Sequence, residues 1–234
     1  MKCTKSSTSA NFLWGIVLWL LFFLLPSGSV AARSAAEIVA AVQSRYQSIA
    51  SLQADFVQET RSSATSLGTT ARGRFYFMKP RSMRWQYQEP EQWFLVVGDH
   101  TWHYVPEDGS IYERLIRSPV LLNFFSGFDK VAETFHISLL PQASNGNYYV
   151  LELRPSRKDL PVSLVKTWID PNSYLIMRIH TEDHLGNNND MTFSNIKLNN
   201  LTDPSLFTLR IPPGVQLVHE EAGPSPEKKA LPDN

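Results

Sequence analysis

The chain has 234 residues, with 22 lysines and arginines against 22 aspartates and glutamates, and a formal charge of zero. That balance offers no strong basic field to nucleic acid and no polybasic stretch to lipid headgroups, so neither is expected as a charge-driven partner. The one cysteine, Cys3, stands near the start, which leaves the rest without disulfides, thiolate metal sites or a cysteine nucleophile.

In chain order, Lys2 and Lys5 precede an unbroken apolar run, Phe12–Leu25. Pro26 and Gly28 break it, and Val30-Ala31-Ala32 supplies small residues for cleavage. This is the pattern of a secretory signal peptide, expected over residues 1–32. The run is short of the roughly 20 residues of a membrane span; an uncleaved anchor is the alternative. A lipid-modified cysteine would have to follow the run, and Cys3 precedes it, so the mature chain is expected to be soluble.

Ser34-Ala35-Ala36-Glu37 is a capping box. Ile38, Val39, Val42, Tyr46 and Ile49 follow at helical spacing and predict a helix over about 35–49 with one apolar stripe. Leu52, Ala54 and Phe56 then alternate with polar residues, predicting a strand from about 52 to 60. After a polar loop over Ser62–Thr70, Ala71–Tyr87 reads as two antiparallel strands around a Lys79-Pro80 corner. Gly73, Phe75 and Phe77 point one way and Arg72, Arg74 and Tyr76 the other; beyond the corner Met83, Trp85 and Tyr87 oppose Arg84, Gln86 and Gln88. One face of this sheet is therefore unusually bulky and apolar. On pattern alone such a face is core more often than cavity, by about two to one.

Trp93–Val97 is apolar on both sides, so its faces stay unassigned. A turn at Gly98-Asp99, a strand over Thr101–Val105, a turn at Glu107–Ser110 and a strand over Ile111–Ile116 continue the antiparallel rhythm. Pro119 suits a first helical turn and Gly127 a stop, so Val120–Phe128 reads as a small apolar helix, a candidate plug or lid. Strands are expected over about 134–140, 147–154, 164–170, 174–183, 191–198 and 208–211, with a helical turn at Asp203–Phe207. The total is ten or eleven strands and one well-formed helix in one domain, and a sheet of that length must curl toward a barrel. Residues after about 219 are rich in Pro, Glu and Lys and are expected to be disordered.

No nucleophile elbow or phosphate-cradling glycine loop is present. His100 and His103 are three apart on one strand and so face opposite ways. His180, Asp183 and His184 approach a turn and read as a solvated turn rather than metal ligands, and Arg72, Arg74, Arg81 and Arg84 as a solvated outer face, with a docking surface for an acidic partner as the alternative.

The order Leu52-x-Ala54-x-Phe56-x-Gln58, then Gly73-x-Phe75-x-Phe77-x-Lys79-Pro80-x-x-x-x-Trp85, then Gly98 and Trp102-x-Tyr104, resembles the LolA family of periplasmic outer-membrane lipoprotein carrier proteins. The ending Asn195-x-x-x-Asn199-x-x-x-Asp203-x-x-x-Phe207-x-x-x-Ile211-Pro212-Pro213-Gly214-Val215 is similar as well. The resemblance spans about 35–218 and implies an incomplete, strongly curved antiparallel barrel, mainly β, with helices lidding its concave face. It implies a periplasmic carrier domain over 33–218 between the signal peptide and a tail over 219–234. Its cavity would take the acyl chains of lipoproteins, loaded by an ATP-driven inner-membrane complex and passed to an outer-membrane acceptor. A monomer without cofactor, metal or catalysis is expected. The expected lining is Phe56, Phe75, Phe77, Trp85 and Tyr87, with Met83 at the mouth. Leu121, Leu122, Phe124 and Phe125 are the expected cover. The family's lid-closing basic residue, which binds carbonyl groups, falls on Lys79, a point donor where many members have the planar fork of arginine. The alternatives are a lipid- or lipoprotein-sensing regulatory module, a generic carrier of apolar ligands, and a lipid hydrolase.

Overall fold

The first helix begins where its cap predicts. The Ser34 hydroxyl accepts from the Glu37 amide at 3.3 Å, and the Ser34 amide donates back to the Glu37 carboxylate at 2.7 Å. Helix α1 runs over Ala35–Gln47 and buries Ile38, Val39, Val42 and Tyr46 along one stripe. The computed structural model describes residues 33–65, 67–89, 91–115, 124–125, 128–141, 147–201 and 203–220. The expected signal peptide and almost all of the expected tail lie outside the described residues, as do Leu121 and Leu122.

Twelve strands form one sheet, against the ten or eleven expected. They are β1 (Ser51–Arg61), β2 (Gly68–Met78), β3 (Ser82–Glu89), β4 (Glu91–Val97), β5 (His100–Val105), β6 (Ser110–Leu115), β7 (Phe135–Leu139), β8 (Tyr149–Pro155), β9 (Leu164–Ile169), β10 (Ile176–Glu182), β11 (Asn188–Leu198) and β12 (Gln216–His219). Their spatial order is β12-β6-β5-β4-β3-β2-β1-β11-β10-β9-β8-β7, so β7 and β12 are the two edges and the sheet stays open. Every pairing is antiparallel except β12 on β6.

Register explains why the bulky residues share a face. Ala54 lies opposite Phe75 and Leu52 opposite Phe77, and these pair in turn with Trp85 and Met83. On the other side of β1, Phe56 lies opposite Phe193. Met83 and Trp85 from β3 and Leu151 and Leu153 from β8 share one buried cluster with α1, although five strands separate β3 from β8 in the sheet. The sheet therefore bends around α1, as a long sheet does. Gly73 allows the close approach of β2 and β3: a Cβ there would stand 2.1 Å from the Gln86 carbonyl oxygen.

A second, smaller core lies on the outer face, where Trp93, Leu95 and Ile111 are buried with Phe207. It settles the unassigned stretch. Trp93 and Leu95 turn outward beneath the C-terminal segment, while Phe94 and Val96 pack on the inner cluster. Trp102 and Tyr104 join the outer layer.

Two expectations are corrected. The strand predicted over 208–211 does not form; these residues follow a 3-10 turn at Pro204–Phe207, and Leu206, Phe207 and Leu209 serve the outer core, so the strand comes later at Gln216–His219. The segment before β7 contains a six-residue helix, α2 (Asp129–Thr134), that the sequence pattern does not predict. It is too short to repeat an apolar position at helical spacing.

Candidate functional site

The concave face centres on an aromatic cluster. The Phe75 ring lies 4.9 Å from Trp85, 4.6 Å from Phe125 and 5.6 Å from Phe193. Phe125 also meets Tyr46 of α1 edge-on at 6.2 Å and Phe77 at 6.3 Å. Phe56, Phe75, Phe77, Met83 and Trp85 are all buried, and Tyr87 is half-buried. The two described residues of the expected cover, Phe124 and Phe125, are buried against this face, and Phe128 and Val131 join them. The centre of the face is thus filled by the protein's own side chains, those of α1 together with Phe124, Phe125 and Phe128.

The end of α1 is tied down by polar groups. The Lys79 ammonium donates to the carbonyl oxygens of Tyr46 at 2.9 Å and Gln47 at 2.8 Å. Carbonyls in the last helical turn lack intrahelical partners and carry the negative end of the helix dipole, so a cation is favoured there. Tyr46 adds a third tie, because its hydroxyl accepts from the Ile176 amide at 3.1 Å. Burial pushes the Tyr46 pKa up, so the hydroxyl stays protonated. Asn199 fixes the following corner by accepting from the amides of Ala50 and Ser51.

Beyond the packed centre the concave face opens into a groove of about 500 Å³. Its walls include Gln58, Thr69, Tyr87, Gln92, Phe94 and His103. The Tyr87 hydroxyl donates to Gln58 at 2.8 Å, and His103 Nε2 lies 3.1 Å from the Gln92 amide oxygen. Burial raises the Tyr87 pKa to about 12, so Tyr87 is a donor at neutral pH. Burial lowers the His103 pKa against the pull of Glu220 and favours the neutral ring. Phe94 and Tyr87 also pack on the buried cluster, so the groove is the wet continuation of the aromatic face.

The family model for the outer membrane lipoprotein carrier protein LolA matches residues 47–210. The chain belongs to the LolA family. An outer-membrane lipoprotein carrier protein of Nitrosospira multiformis is 26% identical over 207 residues, spanning 86% of this chain and 95% of the relative. One of Pseudomonas paraeruginosa is 29% identical over 165 residues, 68% of this chain and 76% of the relative. Among solved structures, an uncharacterized conserved protein from Thermus thermophilus shares the fold, with a TM-score of 0.52 and 17% identity over 80% of this chain and 99% of that one.

The remaining candidates fit this LolA fold as structural groups. His100 and His103 lie on opposite faces: His100 bonds Glu113 and stacks on Trp102, while His103 lies in the groove. His180 and Arg178 bond Asp190, the Asp183 carboxylate accepts from the amides of Leu185 and Asn187, and His184 meets the Leu160 carbonyl. Of the four arginines, Arg74 pairs with Asp55 and Arg81 with Asp99. Arg84 departs from the expected solvated face: it is half-buried, lies 5.1 Å over the Trp93 ring and donates to the Leu206 carbonyl. A concavity of about 590 Å³ that shares Thr60, Thr69 and Thr70 with the groove is lined by Glu59, Arg61, His180 and Asp190, too charged to take hydrocarbon.

Sequence reasoning missed three contributors to this LolA-family site. Phe193 on β11 stands across β1 from Phe75 on β2, and the alternation Met191-Thr192-Phe193 carries that signal. Gln58 and Gln92 show only as polar members of alternating strands, and nothing in one sequence marks them as a shared wall.

Proposed function

We propose that this chain is a non-catalytic periplasmic carrier of acylated lipoproteins. In this reading residues 1–32 are removed on export, the carrier expected over 33–218 extends through His219, which ends β12, to Glu220, which pairs with Arg114, and the protein works as a monomer. One observation carries it: among the described residues the aromatic concave face is capped by α1, by Phe124, Phe125 and Phe128, and by Val131 of the short α2, not by a second sheet. Such a cap can be displaced while the sheet keeps its ladders. Acyl chains then take the place of α1 and of Phe124, Phe125 and Phe128 against Phe56, Phe75, Phe77, Met83, Trp85 and Tyr87, and Lys79 closes the lid by its hold on the end of α1. The names of the relatives support lipoproteins as the cargo.

The energetics favour exchange over release into water. Each buried methylene contributes ~0.8 kcal/mol, so one long acyl chain represents roughly 10 kcal/mol. Transfer from an inner-membrane ATP-driven complex to this face, and from it to an outer-membrane acceptor, moves chains between apolar surroundings and needs only small differences at each step.

The test is mass spectrometry of material that copurifies with the protein from the periplasm of its own cells. Triacylated lipoprotein is the expected cargo. Phospholipid alone would favour a generic apolar carrier and overturn the assignment. Depletion of the protein is expected to leave outer-membrane lipoproteins at the inner membrane.

A further inference from the structure

Arg84 leaves a charge imbalance on the outer face. Its Nε and Nη2 groups donate to the Gln86 amide oxygen at 3.2 and 2.9 Å, and its Nη1 donates to the Leu206 carbonyl at 3.4 Å. Both acceptors are neutral, so this half-buried guanidinium has no carboxylate among the described residues. Arg74 and Arg81 each have one, Asp55 and Asp99. Arg84 lines a hollow of about 360 Å³ formed by β2, β3, β4 and residues 205–212, and a second arginine, Arg210, lines it too. Arg210 is exposed and makes no hydrogen bond or ion pair among the described residues. Asp203, just before this segment, interacts with Arg210, but its carboxylate accepts from the Ser205 amide and hydroxyl, each at 2.9 Å. No acid lines the hollow among the described residues. Burial lowers the Arg84 pKa and Arg210 lowers it further, against a pull from Tyr76. An anion between the two arginines relieves their repulsion and gives Arg84 the charged partner it lacks.

We propose that this hollow is a docking site for an acidic segment of a protein partner, one of whose glutamates places its carboxylate between Arg84 and Arg210 and its stem against Trp93. The lining selects that anion. Trp93, buried, forms an apolar wall with Leu206 and Pro212, while the two arginines and the hydroxyl-bearing Tyr76 and Thr208 supply donors. A planar carboxylate on a methylene stem matches both halves, and guanidinium groups bind carboxylates in fixed geometry. An anionic membrane surface calls for a larger cluster of basic residues than two arginines. Tyr76 and Trp93 belong to the outer core, behind the aromatic face, so a partner held here leaves the cap and the concave side free. The site does not depend on what the concave face carries.

The experiment follows the arginine Nε–H and tryptophan indole N–H signals of the mature protein by NMR while a short, end-blocked, glutamate-rich peptide is added, and repeats the titration with its glutamine counterpart. The glutamate peptide is expected to shift Arg84, Arg210 and Trp93 in a saturable way that added salt weakens, and the glutamine peptide to leave them unmoved. Arg84→Gln is expected to weaken binding of the glutamate peptide about tenfold, the scale of a hydrogen bond between charged groups. Arg210→Gln, at an exposed position, is expected to weaken it about two- to fivefold, the scale of an exposed ion pair, with an unchanged thermal melt. That variant keeps the test open if Arg84→Gln does not fold. No saturable shift at these residues, or equal affinity in the wild type and Arg210→Gln, overturns the proposal. Inorganic phosphate or phosphatidylglycerol vesicles that shift the same signals at lower concentration than the glutamate peptide overturn the carboxylate assignment. Lipopeptide binding is expected to be the same in Arg210→Gln as in the wild type; its loss would make the hollow part of the cargo site and overturn a separate docking surface.

Discussion

The ammonium of Lys79, at the start of the corner between β2 and β3, donates to the carbonyl of Tyr46 in the last turn of α1 at 2.9 Å. One side chain of the sheet thereby holds the cap at its C-terminal end. Lys79→Met keeps much of the stem's packing and removes the donor. It is expected to lower stability by about 1–2 kcal/mol, the scale of a charged hydrogen bond at a helix terminus. Amide exchange in α1 should accelerate more than in β1. Unchanged protection of α1 relative to β1 would show that its apolar stripe alone holds it.

Phe125 and Phe193 both contact Phe75, but one belongs to the cap and the other to the sheet. Phe125→Ala and Phe193→Ala should each destabilise by about 3–5 kcal/mol in urea melts, as buried aromatic truncations do. Their cargo binding should differ. Loss of Phe125 loosens the cap and raises the rate of lipopeptide uptake, whereas loss of Phe193 removes part of the receiving surface and weakens binding. Equal effects of the two on uptake would count against a separable cap.

Gly73 has no space for a side chain. The obstacle to a Cβ is the Gln86 carbonyl, which is backbone and cannot rotate away. Gly73→Ala must push β2 and β3 apart in the middle of the aromatic face. The expected loss is at least about 3 kcal/mol, a size reserved for strain and core defects. A variant with native stability would mean that the β2–β3 ladder shifts freely at this point.

Acid should loosen the β9–β10–β11 side first. Hydrogen bonds from the amide and hydroxyl of Ser173 hold the Asp170 carboxyl below its ordinary pKa. For Asp190, burial disfavours the charge, but the bonds from His180 and Arg178 outweigh it and its pKa is also lowered. A depressed native pKa adds stability that is complete above the unfolded-state value, about 3.9, and is lost as pH falls through the native value. Urea midpoints should therefore drop below about pH 4, and Asp170→Asn with Asp190→Asn should flatten that drop while lowering stability at neutral pH. An acid limb of the same size in the double variant would place the responsible carboxylates elsewhere.

Much of this architecture is legible in the chain because alternation survives folding. Phe75 and Phe77, Met83 and Trp85 sit on the face their period of two assigns, and the cap at Ser34 closes as its spacing requires. Trp93–Val97 is opaque for a physical reason: both of its faces are buried, so polarity does not alternate. The outer core depends on Phe207, far along the chain from Trp93, and no local pattern reports that contact. The state of the site is equally hidden. Residues suited to line a cavity and residues suited to fill a core are the same residues, and only the placement of Tyr46 and Phe125 decides which they do at rest.

Leu95 and Val96 are sequence neighbours, yet they belong to separate hydrophobic layers on opposite sides of the same strand. The bend of β4 is therefore braced from behind by the segment around Phe207, independently of whatever occupies the hollow. A scaffold supported this way keeps its shape when the small parts in front of it move, like a ladle whose bowl is stiffened from outside.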